Sequence, residues 1–168
     1  GSAISILTAE RTLLNYMQRL SGIATTTSEY VNLIAGTSTR LLDTRKTTPT
    51  MRILEKYAVK TGGGTNHRIG LFDMIMLKDN HIDFAGGIEK AIDRTLQYLK
   101  DKQLDLKIEI EVRNFEELQR VLAKGGVNRI MLDNFSVEDT QKAVKMIDHK
   151  YEIESSGGIN ETTLPLYA

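Results

Sequence analysis

The 168-residue sequence predicts an α/β fold built on parallel strands, and three observations carry that expectation. Short apolar runs alternate with stretches whose apolar residues recur at helical spacing, the pattern that gives parallel pairing through right-handed crossovers. Polar clusters follow most of those runs: Asp43-Thr44-Arg45-Lys46-Thr47-Thr48, Lys78-Asp79-Asn80-His81, Leu132-Asp133-Asn134 and Ser155-Ser156-Gly157-Gly158. Chemistry gathered at the C-terminal ends of strands is the layout of an α/β barrel. Only five strand-like runs are present, so the expectation is a TIM-like, incomplete barrel with fewer than eight strands.

Each element has its own signal. Residues 8–35 read as a helix: Leu13, Leu14, Met17 and Leu20 share a face, Thr8 can cap, Ser21-Gly22 predicts a break, and Gly36 can end it. Leu41-Leu42 reads as a short buried strand. Thr48-Pro49 predicts the next helix start, because proline in a first turn gives up only a donor that has no partner there. Ile53, Leu54, Tyr57 and Ala58 would form its apolar face, and Gly62-Gly63-Gly64 fits a C-cap better than a ligand cradle. Residues 74–77 form the second strand. Gly86-Gly87 opens a helix with Ile88, Ile92, Leu96 and Leu99 on one side. Residues 107–112 form the third strand, and Asn114 with Glu117 resembles a capping box for a helix ending at Gly125-Gly126. Residues 129–132 form the fourth strand. Ser136 caps a helix carrying Ala143, Val144 and Ile147, residues 151–153 form the fifth strand, and Asn160 caps a last helix that the chain end cuts off.

Composition narrows the function. The chain has 22 basic and 22 acidic residues, 40% apolar content and no cysteine. Neutral charge argues against a nucleic-acid partner, which selects a basic face. No apolar run approaches the roughly 18 residues of a membrane span, so no membrane partner is expected. Disulfides, thiolate nucleophiles and cysteine-based metal sites are excluded, and a reducing compartment, the cytoplasm, is the expected location. Charge is uneven all the same: residues 40–81 hold eight Lys/Arg against four Asp/Glu, an excess of four positive charges that suggests an anionic ligand.

The candidate site residues follow. Arg45 and Lys46, directly after a strand, could clamp a carboxylate or phosphate, or form only a basic loop tip. Lys107, Glu109, Glu111 and Arg113 alternate with apolar residues, which puts four charges on one strand face. Helices covering the other face would point those charges inward, where they need partners or ligands; an exposed edge strand is the alternative. Glu111 and Asp133 end neighbouring strands and could share Mg²⁺, bind hydroxyls, or neutralise basic residues. Ser156-Gly157-Gly158 before a helix start is a common phosphate seat. His67 beside Arg68 could donate to an anion or move a proton, His81 could be structural, and His149 reads as surface. No histidine pair has zinc spacing.

Taken together the motifs resemble quinolinate phosphoribosyltransferases. The resemblance runs through Glu10-Arg11-Thr12, Ser21-Gly22-Ile23-Ala24-Thr25, Asp43 to Pro49, Glu55-Lys56-Tyr57, Asn66-His67-Arg68, Lys78 to His81, Leu132-Asp133-Asn134-Phe135 and Glu154 to Gly158. It implies transfer of a phosphoribosyl group from phosphoribosyl pyrophosphate to quinolinate with loss of carbon dioxide, in NAD biosynthesis. It also implies that Arg45, His67 and Arg68 hold the two quinolinate carboxylates, with Lys46 and Lys78 lining the site. Glu111 and Asp133 would meet the ribose and Mg²⁺, and Ser156, Gly157 and Gly158 the 5-phosphate. Arg11 would reach a neighbouring subunit's site in a homodimer or higher homo-oligomer. By the same resemblance, residues 1–168 form one truncated barrel domain, lacking an N-terminal sandwich domain and a last barrel strand, and retain the anion site with poor turnover or none.

Overall fold

The structure, a computed structural model, describes all 168 residues and divides into two compact units, residues 1–69 with Ala168, and residues 70–167.

In the first unit, α1 (Ala3–Leu33) is continuous. The break expected at Ser21-Gly22 does not occur: Gly22 is exposed, and one interior glycine costs a helix only about 1 kcal/mol. Thr8 is not a cap either; it lies inside α1 and its hydroxyl donates to the Ile4 carbonyl at 2.8 Å. The strand expected at Leu41-Leu42 reduces to a single parallel bridge between Leu42 and Thr65. Helix α2 (Arg52–Thr61) starts three residues after Pro49, because Thr50 sits at φ 67°, a left-handed conformation from which a right-handed helix cannot continue.

Of the face expected of α2, only Ala58 is buried. Glu55, Lys56 and Ala58 turn inward, while Ile53 and Tyr57 are 72% and 66% exposed. The inward charges are paired: Glu55 accepts from Arg19 Nε and Nη2 at 2.9 and 2.7 Å, and Lys56 bonds Asp43. Ion pairing of this kind overrides an apolar periodicity, since an inward charge is tolerable only with a partner. After α2, Gly62 and Gly64 allow close packing. A Cβ at Gly62 would lie 2.3 Å from the Ala24 carbonyl of α1, and one at Gly64 would lie 2.9 Å from Thr27.

In the second unit, β1 (Ile75–Leu77), β2 (Ile108–Val112), β3 (Arg129–Asp133) and β4 (Glu152–Ser156) form one parallel sheet in the order β1-β2-β3-β4. The α/β expectation holds, and the sheet is open rather than closed into a full barrel. The crossovers are α4 (Ile88–Lys102), α5 (Phe115–Lys124) and α6 (Val137–Ile147). A short helix, α3 (Asp79–Ala85), was not foreseen; seven residues are too few for apolar periodicity to register. Gly86, at φ 86°, ends α3 and Gly87, at φ 120°, opens α4. Asn114 Oδ1 accepts from the Glu117 N–H at 2.9 Å, and Ser136 Oγ from the Asp139 N–H at 3.1 Å, as their N-cap positions require. Asn160 Oδ1 accepts from the Thr162 and Thr163 N–H groups, but the helix beyond, α7 (Leu164–Tyr167), is one turn.

The core lies on one side of this sheet. Ile108, Ile110, Val112, Ile130 and Leu132 are fully or nearly fully buried with Ile88, Ile92, Leu118, Val121, Ala143 and Ile147. Each such aliphatic side chain contributes about 1.5–3 kcal/mol on burial. Phe115 and Phe135 pack edge to face with centroids 5.4 Å apart. Leu96 and Val144, expected in helix faces, lie at the exposed rim.

Candidate active site

Strand register sorts the other side of the sheet into polar rows. Glu109 pairs with Arg129 and Arg129 with Glu152; Glu111 pairs with Met131 and Met131 with Glu154; Asp133 pairs with Ser156 at the C-terminal end. Glu109 is fully buried, so the charged face of β2 is enclosed, not an exposed edge. Arg129 is the cation of these rows, 2.7 Å from Glu152, 3.2 Å from Glu154 and 3.9 Å from Glu109. Sequence reasoning missed it; the polar-apolar alternation of Arg129-Ile130 and Leu132-Asp133 is the signal that could have found it. Arg113 does not belong to the face. It lies beyond β2 and bonds Glu117 of α5 at 2.5 and 3.0 Å, which raises its guanidinium pKa. Lys107 is also exposed, 3.2 Å from Glu152.

At the C-terminal ends of the strands the structure brings together Lys78, Glu111, Asp133 and the Ser156–Gly158 turn, one from each successive strand. Lys78 Nζ stands 3.7 Å from Glu111 Oε2. Burial pushes the Glu111 carboxyl above the usual carboxylate range; Lys78 opposes the shift, and the charges of Asp133 and Asp79 add to it. Asp133 Oδ2 accepts from Asn134 Nδ2 at 3.0 Å, and the Asn134 N–H donates to the Ser156 carbonyl at 2.7 Å. Gly157 (φ 95°) and Gly158 (φ 68°) follow. The helix dipole expected behind this turn is lacking, because α7 is a single turn that starts at Leu164. His81 is structural: its Nδ1 accepts from the Lys78 N–H at 3.0 Å and so caps α3. His149 is exposed past the end of α6.

The first unit holds the remaining cationic candidates. Asp43 is their organiser: its Oδ1 accepts from Lys56 Nζ and, at 2.8 Å, from the His67 N–H, and its Oδ2 accepts from Asn66 Nδ2 at 2.6 Å. Lys56 Nζ also donates to the His67 carbonyl at 3.0 Å. Arg45 and Lys46 follow Asp43 after one residue, Thr44, in a tight turn closed by Thr47 N–H to Arg45 carbonyl at 2.9 Å. Arg45 Nε is buried with no hydrogen-bond partner, a state that costs free energy until some group meets it. Arg68 adjoins His67, and Arg11 is exposed on α1. Asp43, Lys56 and Asn66 entered the sequence reading only as members of motifs, with no role of their own, because a residue that supports another carries no local signal.

The family model described as the quinolinate phosphoribosyl transferase C-terminal domain matches residues 23–168. This chain belongs to that family. Among relatives of the family, the Nicotiana tabacum protein named quinolinate phosphoribosyltransferase [decarboxylating] 2b, mitochondrial, is 43% identical over 98% of this chain and 50% of its own length. The Synechocystis protein named probable nicotinate-nucleotide pyrophosphorylase [carboxylating] is 47% identical over 100% of this chain and 57% of its own. The chain thus spans about half the length of the curated relatives it matches. Among solved structures, NadC from Streptococcus pyogenes matches with a TM-score of 0.88 at 44% identity, over 98% of this chain and 57% of that one. The nicotinate-nucleotide pyrophosphorylase from Francisella tularensis matches with a TM-score of 0.91 at 47% identity, over 98% and 57%. No helix of the chain is long and apolar enough to cross a membrane.

Proposed function

We propose that this chain is the barrel portion of a decarboxylating quinolinate phosphoribosyltransferase, which makes nicotinate mononucleotide, pyrophosphate and carbon dioxide from quinolinate and phosphoribosyl pyrophosphate. The observation that carries the reading is the cationic segment pair around Asp43, where Arg45 keeps a buried, unpartnered Nε, in a member of this family. Quinolinate is a dianion with two adjacent carboxylates. Arg45, His67 and Arg68 supply fork-like and single donors for them, with Lys46 adding charge.

Loss of pyrophosphate leaves an oxocarbenium-like ribose, so fixed charges dominate the rate. Attack by the pyridine nitrogen makes that nitrogen cationic. The ring then accepts the electron pair left as the 2-carboxylate departs as carbon dioxide. The arginines orient that carboxylate but hold it no more tightly than the transition state allows. Ser156, Gly157 and Gly158 present backbone N–H groups to the 5-phosphate.

Glu111 and Asp133 suit a hard cation: both are carboxylates at the C-terminal ends of adjacent strands, and burial, with the charge of Asp133 added, pushes up the Glu111 carboxyl, a cost that a cation would relieve. Mg²⁺ held there would neutralise pyrophosphate charge, and without it the same carboxylates face the ribose hydroxyls. Arg11 serves the site of a neighbouring copy in a homo-oligomer, without nucleic-acid or membrane partners. A cytoplasmic setting fits the cysteine-free composition.

Calorimetry of this chain with quinolinate and with nicotinate tests the reading. Tighter binding of quinolinate is expected. Equal affinities point to another pyridine substrate, and no affinity for either sinks the proposal. Arg45→Ala and Arg68→Ala should each weaken quinolinate binding by about 1.5–3 kcal/mol, roughly ten- to a hundredfold.

A further inference from the structure

The carboxylate of Asp43 and the ammonium of Lys56 form the most enclosed ion pair in the first unit, with side chains 7% and 4% exposed. Buried ion pairs are seldom more stabilising than apolar residues of the same volume, so stability alone does not account for this one. Its hydrogen bonds show what it fixes. Asp43 Oδ1 takes the N–H of His67 at 2.8 Å, and Lys56 Nζ reaches the carbonyl of the same residue at 3.0 Å. Both peptide groups flanking the His67 Cα are therefore held by one pair of charges. Asn66 closes the frame from the side, donating to Asp43 Oδ2 at 2.6 Å and to the Lys56 carbonyl at 2.8 Å. Below it, the Leu42–Thr65 bridge runs the two segments parallel, with Thr65 N–H to Leu41 carbonyl at 2.8 Å and Asp43 N–H to Thr65 carbonyl at 3.2 Å. The segments so joined are those that carry Arg45 and Lys46 on one side and His67 and Arg68 on the other.

We infer that Asp43, Lys56 and Asn66 are positioning residues that set the spacing between these two cationic segments, and that this spacing selects a ligand with two adjacent carboxylates over one with a single carboxylate. The inference rests on the proposed function. A monocarboxylate needs only one segment in place, whereas a dicarboxylate binds fully only when both segments are held at the matching separation. Loosening the frame must therefore cost the dianion more than the monoanion, an effect that a purely structural pair would not produce.

The test is calorimetry of the 168-residue protein with quinolinate, nicotinate and phosphoribosyl pyrophosphate, beside urea unfolding of each variant. Asp43→Asn with Lys56→Met removes both charges together, so no lone charge is left buried, and an amide at position 43 can still accept from the His67 N–H. The expected result is a tenfold or greater loss of quinolinate affinity, at most a threefold loss for nicotinate, and unchanged affinity for phosphoribosyl pyrophosphate. Asn66→Ala keeps the ion pair and should lower the quinolinate-to-nicotinate affinity ratio three- to tenfold, which keeps the inference testable if the double variant does not fold. An unchanged ratio in Asn66→Ala and in every folded double variant overturns the inference. An equal loss for all three ligands overturns it as well, by marking a general structural defect. A wild-type protein that does not bind quinolinate sinks the proposed function and this inference with it, whereas a wild-type ratio retained in the variants sinks this inference alone.

Discussion

Gly157 offers the sharpest test of how the C-terminal ends of the strands are built. Its φ is 95°, and a Cβ there would lie 2.2 Å from Asn134 Oδ1, 2.6 Å from Asn134 Cγ and 3.1 Å from the Asn134 nitrogen. Alanine at 157 meets two penalties. The positive φ costs an L residue about 1–2 kcal/mol. The Asn134 side chain must also swing away, giving up its 3.0 Å bond to Asp133, worth about 1 kcal/mol, and the backbone contact persists. The total is about 2–4 kcal/mol. Gly158, at φ 68° with nothing near its Cβ, meets only the first penalty. With a urea slope near 2 kcal/mol/M, Gly157→Ala should lower the unfolding midpoint by about 1–2 M, and Gly158→Ala by less than about 1 M. Adding Asn134→Gly to Gly157→Ala should recover part of the loss, since position 134 is itself at φ 56° and loses only the obstructing side chain. Equal midpoint shifts for the two single variants would refute the reasoning.

Other expectations follow from the charges. The raised Glu111 carboxyl binds a proton more readily folded than unfolded, so its burden is absent below its unfolded value of 4.5 and grows as pH rises through the folded value; Glu111→Gln should therefore stabilise the fold at neutral pH and flatten the pH dependence above 4.5, as urea midpoints across pH will show. In the whole enzyme the same substitution, and Asp133→Asn, should damage use of phosphoribosyl pyrophosphate more than quinolinate binding, checked by separate KM values. Arg129→Leu should destabilise by about 3–5 kcal/mol, by taking the cation from a buried carboxylate row, and should raise the Glu152 carboxyl, which Arg129 and then Lys107 hold low. Glu89, bonded by Arg120, should titrate at about 2 in a carbon-13 NMR experiment. Assayed beside the whole enzyme, the 168-residue chain should form little or no nicotinate mononucleotide; comparable specific activities would refute the expectation that the remainder of the relatives' length matters for catalysis.

The second unit was the legible part of this sequence. Strand-helix alternation, the Asn114 and Ser136 caps and the two-residue period of β2 all depend on neighbours a few residues apart, and all were realised except that Arg113 left the charged face. The first unit was less legible because distant pairs shape it. Nothing local to α2 announces that Glu55 meets Arg19 across 36 positions, or Lys56 meets Asp43 across 13, so the helix was expected to bury Ile53 and Tyr57. Helix starts failed for a related reason: Pro49 satisfied the N1 rule, but the left-handed Thr50 beside it set the start at Arg52. In the site, residues that could touch a ligand stood out by type and place, while the supporting roles of Asp43, Asn66 and Arg129, which hold other residues, did not.

The alternation along β2 also separates two kinds of physical demand within five residues. Ile108, Ile110 and Val112 answer to the packing of the helices, whereas Glu109 and Glu111 answer to the polar side. Side chains on opposite sides of one strand pack against different groups, so coupling between them is left to the backbone they share. Improving the packing around Ile110 is then a route to a hardier protein that leaves the neighbouring Glu111 free to be varied for chemistry.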